Sequence, residues 1–420
     1  MSTSSPRLAR WRLRVFAATW LAYVGLYFCR RPFYIVKSSL GEAHTWSATD
    51  LGNLGAVYLI AYALGQFVAG VTGNRYGSRI VVLIGMVASA GVNLAFGIVD
   101  SYATFAVFMG LNGMAQATGW STNVGTIGAW FHRRERGRVM GLWATNFQIG
   151  GILASSLATA VLSAWGFRYS FFTGAAVLMA TWAFYLVNQR NRPEDLGLAL
   201  APESPDPIAA AGEPQLPPPT DWSRPIVINL LLVSVFYFFI KFIRYAVWSW
   251  APYLLNLHYG LKKDQSGYLP IIFDLAGVAG VITIGFVSDR WFDSRRVKVC
   301  FYSVLAMMLS CLALYLLAAQ SLLVFAVSLG FIGFFLFGPD ALMTSAGAIE
   351  VAPRGNATLA TGLISGIGSM GPVLQELAVG RLLDRAEVKH VFATLLACSI
   401  LSAAALAILL RRNRAGLADL

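Results

Sequence analysis

The feature that most constrains this chain is the recurrence of long apolar runs separated by short polar segments. A helix needs about 20 residues to cross about 30 Å of hydrocarbon. Twelve runs reach that length, and their approximate centres are Tyr23, Ala61, Ser89, Gly113, Ile149, Val177, Ile240, Gly277, Leu309, Gly333, Ser365 and Ala403. Only 12% of the 420 residues are charged, against about 25% in soluble domains. The pattern predicts an all-α polytopic membrane protein with twelve transmembrane helices and argues against a water-soluble enzyme.

The basic residues lie in short clusters between the apolar runs. The chain has 32 Lys and Arg against 20 Asp and Glu, a net charge of +12. With both termini in the cytoplasm, cytoplasmic segments hold about three times as many Lys and Arg as external loops, as the positive-inside rule requires. Topology therefore accounts for the charge, and we expect no nucleic-acid partner. The compact chain and short loops favour a bacterial inner membrane.

One long polar segment divides the chain. Residues 188–223 contain eight of the sixteen prolines, and they are too polar to insert and too rich in proline to form a helix. We expect a cytoplasmic linker there. It would join a six-helix bundle at residues 1–187 to a second six-helix bundle at residues 224–420.

Three landmarks repeat between the two halves at nearly the same offset of about 215 residues. They are Gly70-x-x-x-Asn74-Arg75 with Gly285-x-x-x-Asp289-Arg290, Arg30 with Arg244, and Arg136-Gly137 with Arg354-Gly355. This repetition indicates two pseudosymmetric halves. The loop after helices 2 and 8 resembles the G-x-x-x-D-R signature of the major facilitator superfamily, with Asn74 in place of the first acid. The resemblance implies charged cytoplasmic loop contacts, a substrate site between the halves and transport by alternating access.

Four cations fall inside predicted helices, Arg30 and Arg31 in the first and Lys241 and Arg244 in the seventh. Each costs about 2.5–3.5 kcal/mol at the bilayer centre, so they should face the interior. Spacings of three and four residues make two helical stripes. The stripes are Tyr23, Tyr27, Arg30 and Tyr34, and Tyr237, Lys241, Arg244 and Trp248. Their equivalence predicts that Arg30 and Arg244 converge on one cavity, where planar guanidinium forks suit a phosphate.

Structural ion pairing is the competing explanation of these cations. The intramembrane acids that could pair with them are Asp274, Asp340 and Glu376. Four cations against three acids leave a positive excess, which favours anion binding. Arg31 lies about 100° round the helix from Arg30, and we expect it to pair with an acid rather than to contact substrate. Asp274 is the expected partner, and Lys241 competes with Arg31 for it. Whether Lys241 contacts substrate directly stays open.

Three tyrosines, Tyr27, Tyr58 and Tyr62, lie well inside their apolar runs rather than at the ends. Interfacial aromatic residues usually anchor a helix in the membrane, so this placement leaves substrate lining and helix packing as equal alternatives.

Other chemistry has little support in the sequence. The four cysteines lie in apolar runs without a C-x-x-C pair, and the four histidines are scattered. We therefore expect no disulfide framework, no metal site and no cofactor. The sequence also lacks a nucleophile–base arrangement in an extramembrane domain, so we expect no enzyme activity.

Further motifs resemble the organophosphate:phosphate antiporter family over nearly the whole chain. Tyr27-Phe28-Cys29-Arg30-Arg31 resembles its Y-x-x-R-K pattern, and Phe242-Ile243-Arg244-Tyr245 is similar to its second arginine segment. Arg136-Gly137, Trp143 and Gly150-Gly151 match its loop-to-helix-5 motif, and Asp274 matches its helix 8 acid. Three positions depart from the glycerol-3-phosphate members, which carry lysine, histidine and aspartate where this chain has Gln66, Phe147 and Ser249.

The resemblance implies a monomeric transporter that exchanges an organic phosphate for inorganic phosphate, with the phosphate held between Arg30 and Arg244. The organic substrate would be a sugar phosphate, glycerol-3-phosphate or a phosphoglycerate. Two alternatives stay open. Some relatives in the family are sugar-phosphate receptors with little transport. The chain could also be a proton-coupled symporter for another organic anion, with Asp340 and Glu376 carrying protons.

Overall fold

The structure is a computed structural model that describes residues 6–198, 223–291, 296–318, 321–343 and 357–415. Every regular element in those ranges is a helix. The chain forms two compact units, one of residues 1–45 and 54–212 and the other of residues 46–53 and 213–420. The linker predicted at residues 188–223 lies mostly outside the described residues, and the sequence-based domain boundaries remain a prediction.

In its described residues, the first half of the chain forms nine α-helices and one short 3₁₀ helix. The helices are α1 (Pro6–Phe28), α2 (Arg31–Ile35), α3 (Lys37–His44), α4 (Ala48–Tyr76), α5 (Ser78–Phe96), α6 (Tyr102–Trp130), α7 (Arg133–Trp143), α8 (Asn146–Trp165) and α9 (Phe167–Asn188), and the 3₁₀ helix is Pro193–Leu196.

The second half forms seven further helices in its described residues. They are α10 (Arg224–Leu257), α11 (Lys263–Tyr268), α12 (Ile271–Trp291), α13 (Arg296–Leu317), α14 (Leu322–Leu342), α15 (Ala357–Arg385) and α16 (Val388–Arg414). Ser321 caps α14, because its hydroxyl accepts the backbone N–H of Val324.

Among the described residues, nine helical stretches are long and apolar enough to cross a membrane. They are α4, α5, α9, α10, α13, α14, α16, Val139–Trp165 and Lys263–Ser288. Helix α6 has a suitable length but carries buried polar side chains such as Gln116 and Asn123. The total of twelve membrane-spanning helices and the cytoplasmic placement of the termini remain predictions.

The sequence pattern predicts one continuous helix through Arg30 and Tyr34, and here the structure differs. Helix α1 ends at Phe28, and Cys29 and Arg30 form a turn before α2 begins. Pro32 has no backbone N–H to bond the Phe28 carbonyl, and this loss favours a break in the helix at this point. A Cβ at Gly174 of α9 would lie 2.1 Å from the Phe28 carbonyl oxygen. The missing side chain therefore lets α9 approach the broken end of α1.

Small residues also allow close helix packing elsewhere. In the first unit, α1 packs against α8 and α9, and α5 packs against α6 and α9. In the second unit, α10 runs along α15 and α16, while α12 and α14 cross closely. Added Cβ atoms at Gly280 and Gly333 would lie 2.0 and 2.2 Å from the backbone oxygens of Phe334 and Phe273. Such contacts replace hydrophobic burial as a source of helix association in lipid.

Candidate anion-binding site

The Arg30 side chain lies at the break between α1 and α2, in a neutral polar and aromatic surrounding. Its Nε and Nη2 donate to Gln116 Oε1 at 3.3 and 3.2 Å. Its guanidinium carbon is 4.8 Å from the Tyr27 ring centroid and 4.9 Å from that of Tyr62. No carboxylate in the described part of the chain forms an ion pair with Arg30. Within the described residues, its positive charge is therefore surrounded by dipoles and π-faces.

The predicted tyrosines lie together around this arginine. Tyr58 and Tyr62 stack with ring centroids 6.1 Å apart, and Tyr23 packs edge-to-face on Tyr27 at 5.8 Å. Tyr23, Tyr27 and Tyr58 are all buried. Because Arg30 contacts the rings of Tyr27 and Tyr62 directly, these two are part of its immediate surroundings as well as of the helix packing.

The Arg31 side chain lies against α8. It is 5% exposed, and a Cβ at Gly151 of α8 would lie 3.0 Å from its Nη2. The glycine thus makes room for the guanidinium. Asp274, its expected partner, accepts a hydrogen bond from Trp248 Nε1 at 2.7 Å. The pairing of Arg31 with Asp274 remains a prediction.

Arg244 of α10 has a different surrounding from Arg30. Its Nη1 forms a buried ion pair with Asp340 of α14, and each side chain is 10% exposed. The guanidinium carbon also lies 5.3 Å from the Trp248 ring and 5.5 Å from the Tyr245 ring. Structural ion pairing, the competing explanation from the sequence, therefore applies to this arginine. An anion that binds Arg244 must share it with Asp340 or displace Asp340.

The other predicted charges of the second unit also have polar contacts. Lys241 Nζ lies 3.1 Å from Ser369 Oγ and 4.7 Å from the Tyr237 ring centroid. Glu376 is fully buried and accepts a hydrogen bond from the Ser249 hydroxyl. Helices α10 and α15 thus share polar contacts at two levels along their length.

The profile of the Major Facilitator Superfamily matches residues 16–376 and, in a second match, 233–418. The chain belongs to the Major Facilitator Superfamily. It is therefore an integral, multi-pass membrane protein of a transporter family rather than an enzyme. A solved superfamily structure, that of a bacterial homologue of the human lysosomal transporter Spinster in an inward-facing and unoccupied conformation, matches with a TM-score of 0.71 and 15% identity. The match covers 97% of this chain and 95% of that one and concerns the fold alone.

Curated relatives narrow the group within the Major Facilitator Superfamily. The glycerol-3-phosphate transporter of Bacillus subtilis is 29% identical over 413 residues, covering 95% of this chain and 92% of the relative. Human sugar phosphate exchanger 3 is 27% identical, covering 88% and 87%. The membrane sensor protein UhpC of Escherichia coli is also 27% identical, covering 90% and 87%. The resemblance to the organophosphate:phosphate antiporter family is thus confirmed.

The loop motifs shared with the superfamily are only partly described. Asn74 and Arg75 are exposed in the last turn of α4, where Arg75 lies 5.3 Å from the Tyr76 ring. Arg290 is exposed at the end of α12. Arg136 and Gly137 lie in α7, but their side chains and that of Asp289 are outside the described residues. The charged loop contacts therefore remain a prediction.

The sequence did not reveal the neutral polar side chains that contact these charged groups. Gln116 is fully buried and bonds Arg30, and Ser369 and Ser249 contact Lys241 and Glu376. A signal for Gln116 existed, since an amide near the centre of an apolar run needs a polar partner. Among the described residues, no group of His, Cys, Asp and Glu side chains could hold a metal ion.

Proposed function

We propose that this protein exchanges an organic phosphate for inorganic phosphate across the membrane by alternating access. The observation that carries the proposal is the surrounding of Arg30, a cation held by Gln116 and tyrosine rings with no carboxylate paired to it in the described residues. A cation kept in this way inside a membrane protein has unused capacity for an anion.

Phosphate is the anion that suits this arginine best. A guanidinium offers a planar fork of N–H donors that bonds two phosphate oxygens at once. The named relatives, a glycerol-3-phosphate transporter and a sugar phosphate exchanger, support an organic phosphate as the second substrate. The substrate class is a sugar phosphate, glycerol-3-phosphate or a phosphoglycerate. Gln66, Phe147 and Ser249 replace the lysine, histidine and aspartate of the glycerol-3-phosphate members, which weakens the case for glycerol-3-phosphate itself.

The proposal keeps the prediction that Arg30 and Arg244 hold one phosphate together. With the site empty, Arg30 keeps its charge while Asp340 opposes that of Arg244, and a bound phosphate would neutralise the positive charge that remains. Either phosphate species can do this, so exchange should be faster than net uniport. The phosphate would then favour closure because it binds the closed form better than the open form. We further propose that the protein works as a monomer in a bacterial inner membrane.

Phosphate exchange in liposomes tests the function. The purified protein is reconstituted with internal phosphate, uptake of radiolabelled phosphate is followed, and organic phosphates are added as competitors. Arg30→Lys and Arg244→Lys should each lose most exchange, because a lysine ammonium cannot replace the guanidinium fork. Arg168→Lys is the matched control, since Arg168 forms an exposed ion pair with Asp100. Near-normal exchange in both site variants would overturn the proposal.

A receptor is the second candidate, because one relative is a membrane sensor protein. Phosphate or sugar phosphate would then bind tightly to the purified protein while liposomes show little flux. Uptake driven by a pH gradient without internal phosphate would instead support proton-coupled transport. In that case Asp340 and Glu376 are the acids to replace first.

A further inference from the structure

Buried polar side chains from α5 and α6 surround the broken end of α1 in the first unit. They are Ser89, Asn93, Asn112 and Gln116, and each is at most 3% exposed. Uncompensated polar groups are costly inside a membrane protein, so these four need partners within the unit. They find them at the helix end that precedes Arg30.

Backbone carbonyls at the end of α1 and in the turn that follows it accept hydrogen bonds from the three amides. Asn112 Nδ2 and Asn93 Nδ2 both donate to the Cys29 oxygen, at 3.0 and 3.1 Å. Gln116 Nε2 donates to the Leu26 oxygen at 2.9 Å. A helix end leaves carbonyls without intrahelical partners, and side chains here take that place. The network therefore fixes the position at which α1 stops and Arg30 follows.

The bonds also fix which way the Gln116 amide points. The Leu26 oxygen can only accept, so the amide nitrogen must face it. Ser89 Oγ donates to Asn112 Oδ1 at 2.7 Å, which leaves its oxygen to accept from Gln116 Nε2 at 2.9 Å. The amide oxygen of Gln116 must then face Arg30, as observed. Its orientation follows from its neighbours and not from Arg30 alone.

A neutral hydrogen-bond acceptor beside a cation leaves the positive charge of that cation intact. Gln116 orients the guanidinium of Arg30 without cancelling its charge, whereas Asp340 opposes the charge of Arg244. We propose that Gln116 is the positioning residue of Arg30, and that its lack of charge leaves Arg30 its full attraction for the substrate phosphate. This inference rests on the proposed function, since it assumes that Arg30 binds phosphate.

Two replacements of Gln116 separate positioning from packing. Gln116→Leu removes the acceptor, and the apparent KM for phosphate should rise roughly 10- to 100-fold, with a smaller change in maximal exchange rate. Gln116→Glu keeps the shape and an acceptor for Arg30, but it adds a negative charge there and loses the donor to the Leu26 oxygen. Its KM should rise at least as much, because the carboxylate competes with phosphate. A purely structural role predicts lower stability and a lower maximal exchange rate in both variants, without a rise in the KM for phosphate.

Gln189→Leu is the matched control. Gln189 follows directly after α9 in the same unit and, like Gln116, is fully buried. It donates to Thr126 Oγ1 at 3.3 Å, away from Arg30. Its replacement should leave the KM for phosphate within a few-fold of wild type. If Gln116→Leu does not fold, Gln116→Glu carries the test. A wild-type KM in the folded Gln116 variants would overturn the inference.

A structural readout separates failure of the inference from failure of the proposed function. If the wild type neither binds nor exchanges phosphate, the proposed function fails on its own. The structure of a folded Gln116 variant still tests the positioning. The Arg30 guanidinium should leave its place over the Tyr27 and Tyr62 rings in Gln116→Leu. An unmoved guanidinium in that variant would show that Gln116 does not position it.

Discussion

The buried ion pair between Arg244 and Asp340 allows us to predict by how much a substitution lowers the stability of the protein. Each side chain is 10% exposed, and the guanidinium is also close to the rings of Trp248 and Phe337. Asp340→Ala removes this carboxylate from a low-dielectric surrounding, and breaking such a pair costs about 3–5 kcal/mol. Each kcal/mol corresponds to about 2–4 °C in a unit of 150–250 residues, so we expect the Tm to fall by roughly 6–20 °C.

Two further variants make the argument specific. Asp100→Ala breaks the 2.7 Å ion pair with Arg168, in which Asp100 is 62% and Arg168 45% exposed. This variant should lose less than about 1 kcal/mol of stability. Arg244→Leu added to Asp340→Ala removes the uncompensated charge and should recover much of the lost stability. The first comparison tests burial, because the two ion pairs differ in their exposure to solvent. The second tests the cost of the charge that is left on Arg244.

Thermal unfolding of the purified protein in detergent, with and without phosphate, measures these effects. If phosphate binds Arg244, it should raise the Tm of Asp340→Ala more than that of the wild type, because an anion that binds only the folded state stabilises it. The reasoning about the ion pair is refuted if Asp340→Ala melts within about 2 °C of the wild type. It is equally refuted if the double variant is no more stable than Asp340→Ala.

Two other predictions concern stability away from the arginines. A Cβ at Gly280 would lie 2.0 Å from the Phe334 oxygen, whereas a Cβ at Gly285 of the same helix meets nothing within 4 Å. Gly280→Ala should therefore lower the Tm by several degrees, while Gly285→Ala should be neutral or stabilise by up to about 1 kcal/mol; equal melting of the two variants would contradict this. Tyr259, in the loop after α10, donates to the Ala318 oxygen at 2.6 Å, and burial raises its pKa to about 12. A raised pKa stabilises the folded state below the unfolded pKa of about 10, so the Tm advantage over Tyr259→Phe should be constant there and shrink as the pH rises towards 12; an advantage that grows with pH would contradict it.

Arg30 and Arg244 occupy equivalent places in the two halves of the sequence, yet their surroundings differ. One contacts a neutral amide and tyrosine rings, and the other forms an ion pair with a carboxylate. The equivalence that the repeat predicts rests on sequence position and stays a prediction. The repeat could not predict the asymmetry in charge, because the partners Gln116 and Asp340 reach the arginines only through the packing of distant helices.

Several features could be predicted because each depends on the chain locally. Long apolar runs determine the class of fold, since a backbone in lipid must satisfy its own hydrogen bonds as a helix. An intramembrane arginine indicates a function wherever it occurs, because its insertion is costly. The family motifs around Arg30 and Arg244 likewise come from short stretches of sequence, and the superfamily match confirms the class they indicated.

Only the tertiary structure decided what holds each charge and where α1 ends. Gln116 lies 86 residues from Arg30, and Asp340 lies 96 residues from Arg244. A glycine on α9 and amides on α5 and α6 fit the break after Phe28. Hydropathy adds up residue by residue along one segment, so the sequence alone determines it. The partner of a buried polar group depends on which helices pack together and in which rotation, and only the folded chain determines that.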